Sequence, residues 1–127
     1  MGNISYSAVV LDEKSKQKLI QKFKNIIPEN WMIMCDHMTI NSGEIDLELK
    51  KYLGLAVRLS INDMAIDENV IAVGVSGFKS FNKKPHITLA INAQNDGEQM
   101  MSNKLTDWKM LKRPLFIVGK VTEVEFK

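Results

Sequence analysis

Strand-like runs, several of them alternating hydrophobic and polar positions, recur along this chain, and two stretches carry a helical period instead. Ser5 to Leu11 reads as a strand, after which Asp12 offers a helix N-cap. Leu19, Ile20, Phe23, Ile26 and Ile27 then form one apolar stripe among lysines, which predicts a helix that Pro28 stops. From Trp31 to Ile40 alternation returns, with Cys35, His37 and Thr39 on one face and Met34, Met38 and Ile40 on the other. Asp36 falls on the second face, where a carboxylate needs a partner that the sequence does not name.

Asn41-Ser42-Gly43 signals a turn, and Glu44 to Tyr52 fits loop, short helix or strand equally well. Leu55 to Ile61 alternates cleanly, Asp67-Glu68-Asn69 reads as a hairpin turn, and Val70 to Phe78 is a second β-branched run. A polar loop from Ser80 to Lys84 leads through Pro85 into a strand from His86 to Asn92. On it His86, Thr88 and Ala90 oppose Ile87, Leu89 and Ile91. Asn95-Asp96-Gly97 breaks the chain before the second stretch of helical period, Glu98 to Leu111, where Met101, Leu105 and Trp108 share a stripe. Pro114 ends it, and Leu115 to Phe126 is a last strand interrupted by Gly119.

The order is strand, helix, strand, hairpin, strand, helix, strand, which is nearly the same from either end. It predicts a single α+β domain over residues 1–127, built as two pseudo-symmetric lobes of antiparallel strands, each with one helix and a groove between them.

Both histidines of the chain stand in one frame, His37-Met38-Thr39-Ile40 and His86-Ile87-Thr88-Leu89. With four threonines in 127 residues, chance places one two positions after each histidine less than about once in a thousand sequences. On a strand, His-x-Thr presents an imidazole and a hydroxyl side by side while the middle residue anchors in the core. Two such strands facing each other across a groove would bring two imidazoles and two hydroxyls around one site, which suits a phosphodiester. With an unperturbed pKa of about 6.5, one imidazole can accept a proton from the attacking oxygen while the other protonates the leaving oxygen. The threonine hydroxyls can donate to the non-bridging phosphate oxygens. His37 and His86 are therefore the candidate catalytic residues, and Thr39 and Thr88 the candidate phosphate ligands. A lone strand histidine is ordinarily a hydrogen-bonded structural residue, and threonine is ordinarily a strand former; duplication in the same frame reverses both readings.

Composition narrows the partners. Seventeen basic and fifteen acidic residues leave a net charge of +2, too balanced for a protein that coats a long nucleic-acid duplex, and more consistent with a small nucleotide or a short RNA end. Tyr6, Phe81, Lys83 and Lys84 are the further candidate substrate contacts, the aromatics for stacking on a base and the lysines for steering a phosphate. Trp108, on the helical stripe, reads as core. The single cysteine, Cys35, leaves too few thiols for a disulfide or a structural zinc site and reads as a semi-buried structural thiol. The expectation is a site with no metal and no cofactor. No apolar run approaches the ~18 residues of a membrane span, and the N-terminus lacks a signal-peptide layout, which predicts a cytoplasmic location with no membrane partner and no obligate protein partner. Met1-Gly2 opens like a myristoylation signal, but Tyr6 stands where that signal wants serine or threonine.

The segments Asp36-His37-Met38-Thr39-Ile40 and Lys84-Pro85-His86-Ile87-Thr88-Leu89-Ala90-Ile91 resemble the two signature motifs of the two-histidine (2H) phosphoesterases, the superfamily of LigT-like proteins and cyclic phosphodiesterases. The resemblance implies a bilobal α+β fold with the active site in the groove. It implies metal-independent cleavage of 2′,3′-cyclic phosphate RNA ends or of small cyclic or 2′–5′ linked oligonucleotides, with His37 and His86 catalytic and Thr39 and Thr88 on the phosphate. The short interval between the motifs and the short chain resemble the compact branch associated with RNA repair and with phage enzymes that destroy cyclic-nucleotide defence signals. The alternative is a non-catalytic module that binds and sequesters a nucleotide or RNA end.

Overall fold

The computed structural model describes residues 3–126; Met1 and Gly2, with the imperfect myristoylation match, and Lys127 lie outside the described residues. The chain is a mixed α+β fold dominated by antiparallel strands: β1 (Ile4–Leu11), α1 (Glu13–Phe23), β2 (Met32–Ile33), β3 (His37–Ser42), β4 (Ala56–Ile66), β5 (Val70–Ser76), β6 (His86–Ile91) and β7 (Lys109–Glu125). Six of the strands close into a barrel in the order β1-β3-β6-β5-β4-β7, with β7 returning to β1. β2 lies along the same side of β6 as β3. No described helix is long and apolar enough to cross a membrane.

Local chemistry explains most boundaries. The Asp12 carboxylate accepts the Ser15 amide at 2.7 Å, the N-cap that starts α1. The helix buries Leu19 and Phe23 in the same cluster as Val9, Met38, Ile87 and Ile117. It ends at Phe23, earlier than the stripe predicts, and the turn that follows buries Ile27 and leaves Ile26 exposed. The hairpin turn forms as expected, with Asp67 Oδ1 accepting the amides of Asn69 and Val70 at 2.7 and 2.9 Å. The ambiguous segment resolves as a 3-10 helix, Leu47–Tyr52.

The predicted strand from Trp31 to Ile40 is broken. Met34 and Cys35 still donate to the carbonyls of Leu89 and Thr88 at 2.7 and 3.0 Å, but Cys35 is left-handed, with φ of 51°, and regular pairing resumes only at Met38 opposite Ile87. Residues 36 and 37 are the extra length of a bulge. One consequence is that Cys35 leaves the histidine face and is fully buried in the core. Asp36 finds its partner outside the strand, where Lys16 Nζ of α1 donates to its carboxylate at 2.8 Å.

The second predicted helix does not form. Gln99–Lys104 is a 3-10 helix, Asp107 turns the chain with φ of 57°, and β7 starts at Lys109. The stripe that suggested a helix still has a physical cause. Leu105, with Met101 and Trp108, packs on a small cluster of Ala65, Val70 and Ala72 that lies apart from the main core. β7 also runs through Pro114, because its register with β4 jumps from Ile61–Leu115 to Asp63–Met110 and leaves residues 111–114 unpaired opposite Asn62. Proline lacks an N–H and is tolerated at such a break.

The sequence predicts two lobes; the strands instead run in one ring, and the only described α-helix is α1. The ring is nevertheless uneven. β4 and β7 pair over eight registered positions and β1 and β7 over seven, whereas β3 and β6, the two motif strands, share the single pair Met38–Ile87.

Candidate functional site

Met38 and Ile87 are the middle residues of the two His-x-Thr motifs and are completely buried. Because neighbours on a strand point to opposite faces, their pairing sends His37, Thr39, His86 and Thr88 together to the face away from the core. The two motifs are thus adjacent in one antiparallel wall and do not face each other from separate lobes. Over that face lies a cleft of about 460 Å³, lined by all four motif side chains and by Tyr6. Its remaining walls come from Ser42, from Asn82 in the loop before His86, and from Gln99, Met100 and Asn103 of the 3-10 helix.

Each imidazole is held differently. His86 is buried, and its Nδ1 lies 2.7 Å from the Lys84 carbonyl oxygen. A carbonyl only accepts, so Nδ1 carries a proton in either charge state and Nε2 is the nitrogen free to exchange one. His37 has its ring centroid 5.0 Å from that of Tyr6, tilted by 32°. Burial pushes the pKa of both histidines below the usual 6.5. For His37 the Asp36 carboxylate opposes this shift and His86 adds to it; for His86 the Lys84 carbonyl opposes it. Burial, reinforced by Asp36, raises the Tyr6 phenol, so it stays a neutral hydroxyl.

The hydroxyls also differ. Thr88 Oγ1 lies 2.8 Å from Ser102 Oγ, both buried, which ties β6 to the 3-10 helix that roofs the cleft. Thr39 has its backbone carbonyl bound by Ser80 Oγ at 2.7 Å, while the Phe81 amide donates to the Ile40 carbonyl at 2.7 Å. These two bonds lay the Ser80–Lys84 loop along β3 and bring Asn82 to the cleft.

Of the further contacts expected from the sequence, Tyr6 lines the cleft. Phe81, Lys83 and Lys84 do not; they line a neighbouring groove of about 760 Å³. Lys84 Nζ is engaged by Asp63 at 2.7 Å and sits 4.9 Å from the Trp108 ring centroid. Trp108 is only partly core, its other side facing this groove. Cys35 is no nucleophile, since burial pushes its thiol up to about 12 and its Sγ–H points at the Leu89 carbonyl. Sequence reasoning missed Ser102, Asn82, Gln99 and Asn103. A serine and two amides within a predicted helix, and one amide in a loop, carry no signal of their own until the fold brings them to the cleft.

Among the described residues no three His, Cys, Asp or Glu side chains converge in a way that could hold a metal ion. The cleft offers two imidazoles whose burial favours the neutral form, hydroxyls from Thr39, Thr88 and Tyr6, and amides from Asn82, Gln99 and Asn103. That is a donor-rich pocket suited to an anion with several oxygens. Compared with known proteins, the sequence matches no protein-family model and no curated protein.

Proposed function

We propose that this chain is a metal-independent phosphodiesterase of the two-histidine type, acting on 2′,3′-cyclic phosphate RNA ends or small cyclic or 2′–5′ linked oligonucleotides. The observation that carries the reading is the Met38–Ile87 pair, which sets both His-x-Thr motifs into one cleft. The six-stranded ring sets the motif strands β3 and β6 side by side, and its two three-stranded runs, β7-β1-β3 and β6-β5-β4, are joined there and along the long β4–β7 pairing.

The chemistry follows from the residues. A phosphodiester centred between the imidazoles receives hydrogen bonds on its non-bridging oxygens from Thr39 and Thr88, which strengthen as charge builds in the transition state. Each imidazole has one neighbour that favours its charged form, Asp36 for His37 and the Lys84 carbonyl for His86; we assign His37 the proton donor to the leaving oxygen because its neighbour is a full carboxylate charge. His86, with Nδ1 held by Lys84, takes the proton of the attacking water or ribose hydroxyl through Nε2. The substrate's own negative charge raises the imidazole pKa on binding, so His37 takes up from solvent the proton that it then donates to the leaving oxygen.

The test is to incubate the protein with 2′,3′-cyclic mononucleotides, 2′–5′ oligoadenylates and cyclic di- and trinucleotides and identify products by mass spectrometry. His37→Ala and His86→Ala should each reduce turnover by about 10²–10⁴-fold, and EDTA should leave it unchanged. Full activity in either variant, or loss with EDTA, overturns the reading. Tight binding with no product over long incubation favours the sequestering module.

A further inference from the structure

We propose that the groove between Phe81 and Trp108 is a second nucleotide subsite, so that the preferred ligand is an oligonucleotide of two or more residues. This inference rests on reading the histidine cleft as a phosphodiester site.

The groove is continuous with that cleft, because Asn82 and Asn103 line both. The two volumes, about 460 and 760 Å³, each fall within the range of a small-ligand site. A mononucleotide with its phosphate at the histidines leaves the second space unused. A chain that continues past the phosphate enters it across Asn82 and Asn103.

The groove's chemistry matches a nucleotide. Phe81 is 52% exposed, a large ring left on the surface with Lys79 Nζ 5.0 Å from its centroid. Solvent-facing aromatics interleaved with lysines are the features that stack bases and track a phosphate backbone without sequence preference. Lys84 is neutralised by Asp63, whereas Lys83 and Lys104 line the groove without a salt bridge among the described residues. Opposing them is Asp107 alone. The balance is positive on the side where a polyanion leaving the cleft would run. The sequence around it, Lys79-Ser80-Phe81-Asn82-Lys83-Lys84, is held in place by the bonds from Ser80 and Phe81 to β3, so the subsite is built before the ligand arrives.

The experiment measures binding separately from turnover. Adenosine 3′-phosphate and a 2′-O-methyl adenosine trinucleotide ending in a 3′-phosphate, which cannot be cleaved through its sugars, are titrated calorimetrically into the protein. The trinucleotide should bind at least about tenfold more tightly, the contribution of one stacked base. Phe81→Ala and Lys83→Ala/Lys104→Ala, all at exposed positions, should each bring the two affinities together. The double lysine variant should also reduce the slope of log affinity against log salt by about 1.4, for two phosphate contacts on a single strand. Equal affinities in the unaltered protein, a trinucleotide advantage that survives both variants, or no binding of the trinucleotide overturns the subsite. Turnover of cyclic mononucleotides without any trinucleotide advantage overturns the subsite and leaves the phosphodiesterase reading standing. A subsite confirmed by binding in a protein that cleaves nothing does the reverse.

Discussion

Lys84 holds His86 through its backbone while its side chain is held by Asp63. The carbonyl fixes the Nδ1 proton, and the ammonium, 2.7 Å from the Asp63 carboxylate, anchors the residue that carries the carbonyl. Nitrogen-15 spectra of His86 near neutral pH should therefore show Nδ1 protonated and Nε2 bare. The opposite tautomer would remove the basis for its role as base.

Gly74 makes that anchorage possible. A Cβ at this position would overlap the Asp63 carboxylate and come within 2.9 Å of Lys84 Cε. Gly74→Ala should destabilise the protein by about 1–3 kcal/mol through overpacking and lower activity by displacing Lys84. Asp63→Asn removes the charge from a buried carboxylate that has one oxygen, Oδ1, without a partner. It should cost about 1–2 kcal/mol, discounted because Lys84 is 43% exposed. Denaturant midpoints measure both; unchanged stability in Gly74→Ala would show that the Asp63 side chain relocates freely.

The two depressed histidines define a pH response. Both groups have folded pKa values below the unfolded 6.5, so the unfolded chain binds more protons as pH falls through that value. Their contribution to stability is complete above 6.5 and is lost progressively below it. In the proposed mechanism kcat/KM needs one neutral and one protonated imidazole before substrate binds, so it should follow a bell centred below 6.5. Histidine proton titrations by NMR and a pH–rate profile check this, and a bell centred above 7 would show that burial does not govern the pair.

The division of labour between the imidazoles is open to leaving-group replacement. A nucleoside 3′-(4-nitrophenyl phosphate) leaves without needing a proton, so His37→Ala should recover most of its lost rate on it while His86→Ala should not. Recovery in His86→Ala instead would exchange the two roles.

Ser102→Ala leaves Thr88 Oγ1 buried without its partner. It should lower stability by about 1 kcal/mol and, by freeing the Thr88 hydroxyl to rotate, reduce kcat more than it raises KM. Ser102→Thr should restore the bond and much of the rate. A rate unchanged in Ser102→Ala would mean that Thr88 orients itself.

Several strands were legible because alternation survives in a sheet that buries one face, and the shared face of histidine and threonine within each motif followed from it, whereas the side-by-side placement of the two motifs did not. Three further things were not legible. Cys35 in a left-handed conformation carries no sequence signal, since glycine and asparagine are the residues that mark such positions, so the bulge that separates Cys35 from His37 was invisible. Met101, Leu105 and Trp108 recur at helical spacing, yet they meet on Val70 and Ala72 through a 3-10 helix and a turn, because contact with a small cluster needs no regular helix. Closure of the ring depends on β4–β7 and β1–β7 pairing across long stretches of chain. Local pattern does not encode such pairing.

β3 itself adds one registered pair to β6, and the rest of that side is carried by β2 and by the Met34 and Cys35 amides. The line beneath both histidines is therefore an interrupted ladder, and interrupted ladders open more readily than continuous ones. Amide hydrogens of β3 and β6 should exchange well before those of β4 and β7. Substitutions at Met38 or Ile87 would then adjust how often the wall parts, and with it how quickly a molecule held among the threonines escapes.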